Sequence, residues 1–456
     1  MREQEAAHSG SQTEEAVRRI VELRSQGCRL YYFVPDFTSD EGLWRSVFRS
    51  YLRAYSAADQ TALILMLPEG DAFAELGEML ELLAALGEDA PLVLAHLYSD
   101  AFFYAALQQE DCLIAAADEL SSHCVRIAVG MGASVVNAAG WMPSQKTYDI
   151  SICIATYYSD YEKLFLTLTS VLRQQDCSYE IIIGDDGTEN FDAKRIELWF
   201  LQHRFKDYII LCSPENQGTV LNSLHIFTYA RGRYIKGISA GDFLYSDHVL
   251  ADMMQFMMEN GYQIAFGRAC YYQKQDGHYA ILDRMNPELL RPHKLRDSAA
   301  VKQAYLVCQD YAVGASFMEE RNLMTAYTWE LAGRVIYTED TAHALMIADD
   351  IPLGFWDHNF VWYECDSGIS SGGSMVWQAR ITRDNHAVLR MIAERCMEWG
   401  HAAEWHIGGR AEDSPYSKIV QDYYAEVERF RAEHSYLVNV DPGELEKLVH
   451  REVSFA

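Results

Sequence analysis

Short apolar runs rich in β-branched and aromatic residues alternate, along most of the chain, with longer stretches whose apolar residues recur every three to four positions. The short runs read as strands and the longer ones as helices. Their alternation is the pattern of βαβ units around a mostly parallel sheet. In a first block the expected strands are RLYYFV (29–34), TALILM (61–66), PLVLA (91–95), CLIA (112–115) and SVVN (134–137), with helices at 41–54 and 72–86. The stretch AAGWMPSQKT (138–147) breaks the pattern with Gly, Pro and polar residues and marks a boundary. A second block opens at ISICIA (150–155), with further strands expected at 180–184, 208–212, 233–238, 263–268 and 360–363. After SGISSGGS (367–374) only helical periodicity remains, at 376–399, 417–434 and 442–450. The expected organisation is a flexible N-terminus over 1–14, an α/β domain over 15–145, a second over 146–375, and a helical extension over 376–456.

Charge narrows the partners. The 38 basic residues stand against 66 acidic ones, a net −28 at pH 7. Such a field repels the phosphate backbone and anionic lipid, so no nucleic-acid partner and at most peripheral membrane contact are expected. The ten cysteines form no CxxC pair, and several sit inside apolar runs. They read as buried free thiols of a reducing compartment, not as a disulfide or zinc framework. The opening MREQEAAHSGSQTEEA lacks the apolar core of a signal peptide, and no run approaches the roughly 20 apolar residues of a membrane span. The expected location is cytoplasmic, with any membrane contact peripheral at the inner face.

Candidate chemistry gathers where the strands of the second block end, the place where open parallel sheets bind ligands. ISICIA ends in Thr156-Tyr157-Tyr158, and EIIIG runs into Asp185-Asp186-Gly187-Thr188. YIILC is followed by Asn216-Gln217-Gly218, and RYIKGI by Ser239-Ala240-Gly241-Asp242. Each piece alone is an ordinary turn or helix cap. Glu339-Asp340 alone is an ordinary acidic helix start. Their order is what carries information.

That order resembles glycosyltransferase family 2, the inverting nucleotide-sugar transferases with the GT-A fold. The matching pieces, within 148–375, are YDISICIATYYSDYEKLFLTLTSVLRQQ, YEIIIGDDGTEN, ENQGTVLNSLHIFTYARGRYIKGI, SAGDFL, the Glu-Asp of IYTEDTAHAL, and YECDSGIS. The resemblance implies that the second block is a GT-A α/β domain, set between the Rossmann-like N-terminal domain and the C-terminal helical extension that the pattern predicts. It implies a hexosyl- or N-acetylhexosaminyltransferase that uses a nucleotide-sugar donor, a UDP-sugar by family habit. The acceptor it implies is a glycan, a lipid-linked saccharide or a glycoprotein, and self-association or a partner glycosyltransferase fits the same setting. It assigns Thr156, Tyr157, Asp185, Asp186, Asn216, Gly218 and Gly241 to the nucleotide. Asp242 becomes the ligand of Mg²⁺ or Mn²⁺, and Asp340 the general base, with Glu339 orienting its loop. The chemistry is coherent: a leaving diphosphate gathers negative charge, hard cations take oxygen ligands, and an inverting displacement needs one base for the acceptor hydroxyl.

Two departures stand out. The acidic turn keeps a single carboxylate, Asp242, and the position after Tyr363, where the family often has a basic residue, holds Glu364. His358 in FWDHNF offers a further metal ligand, though a histidine bonded to backbone is the simpler reading. These departures leave a second hypothesis, a non-catalytic scaffold of the nucleotide-sugar-binding fold. A nucleotidyltransferase would need a Gly-rich basic loop after the first strand, which TYYSDYEK (156–163) is not. The first block has a thinner resemblance, at CLIAAADELSSHCVRIAVGMGASVVNAAG, to the donor-binding half of a GT-B glycosyltransferase. Glu119 fits its first acidic position, but the second is Ile127, which cannot hold a ribose hydroxyl. That block is therefore expected to serve as a degenerate, scaffolding or acceptor-recruiting domain.

Overall fold

The structure, a computed structural model, describes residues 2–37, 43–68, 70, 73–116, 119–138, 141, 147–275, 278–365 and 375–450. The chain divides into two compact units, 1–146 with 194–207, and 147–193 with 208–456. Among the described residues no helix is long and apolar enough to cross a membrane.

The first unit is α/β. Strands β1 (Arg29–Phe33), β2 (Thr61–Leu67), β3 (Leu92–Leu97), β4 (Cys112–Ala115) and β5 (Ser134–Asn137) form a sheet in the order β3-β2-β1-β4-β5. Every pairing is parallel. The central strands are apolar throughout because helices cover both faces; Tyr32, Ile64 and Ile114 are fully buried. The polar start of the chain lies in a helix, Arg2–Ser25, whose last turn sends Arg24 to Asp111 at 2.6 Å and to the Ala106 carbonyl at 2.7 Å. Ile127 packs in this core, and the side chain of Glu119 lies outside the described residues.

The second unit is built on a nine-stranded mixed sheet. Its strands are β6 (Tyr148–Thr156), β7 (Tyr179–Asp185), β8 (Tyr208–Cys212), β9 (Gly232–Gly237), β10 (Phe243–Leu244), β11 (Ile264–Gln275), β12 (His278–Ile281), β13 (Phe317–Glu320) and β14 (Leu353–Glu364). The order is β10-β14-β11-β13-β9-β6-β7-β8, with β12 paired to β11. The half formed by β9, β6, β7 and β8 is parallel and in step: Thr156 lies opposite Asp185, and Asp185 opposite Cys212. Three of these strands therefore end level, and their following turns face the same edge.

The expected strands are all present, with β11 and β14 each running to 12 residues. Not anticipated are β10, only two residues long, β12, and β13, whose FMEE lacks β-branched residues. The single helix expected over 376–399 is two, Met375–Arg395 and Met397–Ile407, because Cys396 between them is extended (φ −127°, ψ 98°). Val388, Leu389, Met391 and Ile392 of the first share a core with Ile182, Ile235 and Phe317 of the sheet. All ten cysteines are free thiols, six of them buried.

One buried charge ties the parallel strands together. Glu180 of β7, fully out of solvent, accepts from Ser151 Oγ at 2.7 Å, from the Arg231 backbone N–H at 2.6 Å and from its guanidinium at 2.7 Å. Removing one partner of such a pair leaves the other charge and three donors unsatisfied. Glu180→Ala is expected to cost about 3–5 kcal/mol by chemical denaturation, and a loss below about 1 kcal/mol would show the network to be dispensable.

Candidate active site

The strand ends open onto a cleft of about 410 Å³. Six of the sequence-selected residues line it: Thr156, Tyr157, Asp186, Asp242, Glu339 and Asp340. The other four support its walls. Asp185, at the last position of β7, is turned into its own loop, where it accepts from Thr188 N and Thr188 Oγ1, each at 2.7 Å. Gly218 and Gly241 shape turns, and Asn216 is exposed beside them.

Asp186 is held by backbone. Its two oxygens accept from Gln217 N at 2.8 Å and Gly218 N at 2.9 Å, which joins the Asp-Asp-Gly turn to the Asn-x-Gly turn. Each oxygen keeps a lone pair for a ligand hydroxyl or amide. Gly218 caps the helix Thr219–Tyr229 at φ 90°, and a Cβ there would meet Ile336 Cγ2 at 2.4 Å. Only glycine satisfies both the dihedral and the space. Thr156 is buried, with its hydroxyl 3.3 Å from Asp185. Tyr157 is exposed at the mouth, edge-on to Tyr158 at 4.7 Å.

Asp242 sits in a turn made by Gly241 at φ 104°, whose missing Cβ leaves room for Glu364 Oε2. Asp242 Oδ1 accepts from Glu364 N at 3.0 Å. Burial pushes its carboxyl up to about 7, against the pull of that hydrogen bond and of the Lys236 charge. Lys236 is itself fully buried on β9, donating to the Gly237 carbonyl at 2.8 Å and to the Ala315 carbonyl, and burial brings it down to about 8. The acidic residue in the family's basic position is neutralised locally: Lys163 Nζ lies 2.6 and 2.8 Å from the Glu364 carboxylate. The Lys163–Glu364 pair is neutral as a unit, and the positive charge felt by Asp242 is that of Lys236.

Glu339 and Asp340 form a short 3₁₀ turn leading into the helix Ala342–Ala348. Asp340 is exposed to the cleft and Glu339 is half-buried beside it. Burial and the neighbouring Asp340 charge push Glu339 up to about 8. Burial also raises Asp340, opposed by His343. Both shifts disfavour two full negative charges side by side. Behind them His343 stacks on Phe317 at 3.8 Å and bonds Glu319 at 2.9 Å, both side chains buried.

His358 does not join Asp242. It lines a separate cavity of about 200 Å³ with Arg268 and Trp356. Among the described residues no group of three or more His, Cys, Asp or Glu side chains is placed to hold a metal ion. Gly368 of the YECDSGIS piece lies outside the described residues.

Residues 151–320 match the family model described as glycosyl transferase family 2. This segment is a glycosyl transferase family 2 domain. The Glu339–Asp340 turn, Glu364 and the helix Met375–Arg395 fall beyond the matched segment. No curated protein matches the chain. Among solved structures, residues 1–349 of S. aureus TarS with UDP align at 11% identity over 65% of this chain and 95% of that one, TM-score 0.35. The same fragment with UDP-GlcNAc aligns at 13% over 66% and 78%, TM-score 0.39. S. aureus TarS aligns at 13% over 65% and 46%, TM-score 0.36.

Sequence reasoning missed Lys163, Lys236, Tyr337 and Trp377, the last two also lining the cleft. Lys163 and Lys236 left a signal. Both stand inside quoted motifs of the family 2 domain, Lys236 two positions from Tyr234 on the buried face of an apolar strand. Gly218→Ala is expected to lower both the thermal midpoint and nucleotide affinity, because the Cβ displaces Ile336 and its φ is strained. Gly237→Ala, with nothing within 4 Å of its Cβ position, is the control; equal behaviour of the two contradicts the packing at Ile336.

Proposed function

We propose that the protein is an inverting glycosyltransferase that moves a sugar from a nucleoside-diphosphate donor, a UDP-sugar in the first instance, to a hydroxyl of a saccharide-bearing acceptor. The observation that carries this reading is the single cleft shared by the family 2 strand-end turns, with Asp186 and Asp242, and the Glu339–Asp340 turn. Asp186, anchored by two backbone N–H groups, would hold ribose or base. Asp340 would take the proton of the acceptor hydroxyl as its oxygen attacks the anomeric carbon. The bond from that carbon to the diphosphate breaks on the opposite face, and the electron pair leaves with the nucleoside diphosphate. The raised Glu339 carboxyl would favour placing the negative charge of the pair on Asp340.

The residues present fit a divalent cation in its usual nucleotide-bound form, one protein carboxylate with the rest of the shell from diphosphate and water. Asp242 would hold Mg²⁺ or Mn²⁺, which supplies positive charge for the leaving diphosphate. Lys236, whose charge already acts on Asp242, would add to that field.

Asp340→Asn is expected to lower transfer at least about 100-fold while nucleotide binding persists. Donor binding with no turnover by the wild type under any acceptor would favour the scaffold reading instead. The base must be ionised, and its carboxyl is raised, so activity should fall on acidification at a pH above the ordinary aspartate range. A profile flat down to pH 4 contradicts the assignment. Manganese binding in the presence of UDP should weaken about tenfold per pH unit below 7, as protons compete for Asp242. Asp242→Asn should abolish it, and an affinity indifferent to pH or to this substitution removes Asp242 from the metal's shell.

A further inference from the structure

The segment that carries the Glu339–Asp340 turn has little regular structure of its own. The preceding helix ends at Leu331, and the residues from there to the turn belong to no helix or strand. Val335 is buried in the core, and beyond it two grips meet at Ile336. On one side the Ile336 carbonyl accepts from Val220 N at 3.0 Å, in the first turn of the helix capped by Gly218. On the other side Asp384, from the helix Met375–Arg395, reaches in with its Oδ2. It accepts from Ile336 N at 3.1 Å and from Tyr337 N at 2.6 Å. Its Oδ1 accepts from the Arg383 guanidinium at 2.7 Å. The Asp384 side chain has no solvent exposure, whereas that of Arg383 is 55% exposed.

We infer that Asp384 is a positioning residue that sets the general-base turn against the donor loop. This rests on the reading of Asp340 as the base. A continuous path runs from Asp186 through Gly218 and Ile336 to Asp384, and the base-bearing turn starts two residues past Tyr337. Charge-assisted bonds to two successive backbone N–H groups are strong and directional. Displacement of a reacting group by about 1 Å can cost about 100-fold in rate. Tyr337 is held a second time by the same helix, its ring edge-on to Trp377 at 5.0 Å. The C-terminal helical region therefore contributes to the catalytic geometry although the family 2 match ends before it.

The test compares full-length wild type with Asp384→Ala, Asp384→Asn and Asp384→Glu in a transfer assay across pH, after Asp340→Asn has been measured. Asp384→Ala should lower kcat about 10–100-fold with donor KM within about threefold. The acid limb of kcat should also move, because a loosened turn changes how Asp340 lies against Glu339 and His343. Asp384→Asn keeps an acceptor oxygen for both N–H groups and should recover activity to within about fivefold of wild type. If the alanine variant fails to fold, Asp384→Glu decides: it keeps the charge and shifts the clamp by one methylene, so kcat should fall in a folded protein. Wild-type kcat and pH profile in a folded Ala or Glu variant overturns the inference. So does a loss uniform across pH that Asp384→Asn does not relieve. An inactive wild type, or full activity in Asp340→Asn, defeats the base reading itself and appears before Asp384 is tested.

Discussion

The cleft is governed by the cost of crowding five carboxylates at one sheet edge, three of them buried. Asp186, Asp242, Glu339, Asp340 and Glu364 all line it. An unpaired buried charge is expensive, and proteins lower that cost by pairing it, hydrogen-bonding it or neutralising it. All three solutions occur within this one site. Glu364 is paired with Lys163, and Asp186 is bonded by the amides of residues 217 and 218. Asp242 and the Glu339–Asp340 pair keep raised carboxyl pKa values. The groups left costly in the free protein are those assigned to a cation and to a proton. Under the proposed function, a divalent ion at Asp242 and a substrate hydroxyl at Asp340 would relieve a cost that the fold alone does not.

The scaffold explains why the groups meet. Strands β6, β7 and β8 end in register, so residues 29 positions apart in sequence, Thr156 and Asp185, stand side by side. Loops on such an edge converge without contributing to the sheet core, so their chemistry can vary while the strands keep packing. Glu339 and Asp340 come from outside this scheme. Their segment is held by the helix start at Val220 and by Asp384, contacts between side chain and backbone that no strand register imposes.

The same division decides what could be read from sequence. The parallel strands were legible because each carries a short apolar run next to Gly, Asp or Asn. The strand-end motifs were legible because their order repeats a known family pattern. β13 was not, since FMEE has the composition of a helix start and becomes a strand only by pairing with β9 and β11. The roles of Lys163 and Asp384 were hidden for a similar reason: their partners lie 201 and 47–48 positions away, beyond any local pattern. Asp185 shows the converse. A motif position can be right while its side chain serves the loop, here through Thr188, and leaves the cleft to its neighbour Asp186.

The most direct measurement is calorimetric titration of nucleotide-sugars into the full-length protein, with and without Mn²⁺. The account predicts saturable binding of one donor class that tightens with the metal and survives loss of the base. No binding of any nucleoside diphosphate or its sugars, with either Mg²⁺ or Mn²⁺, would contradict it.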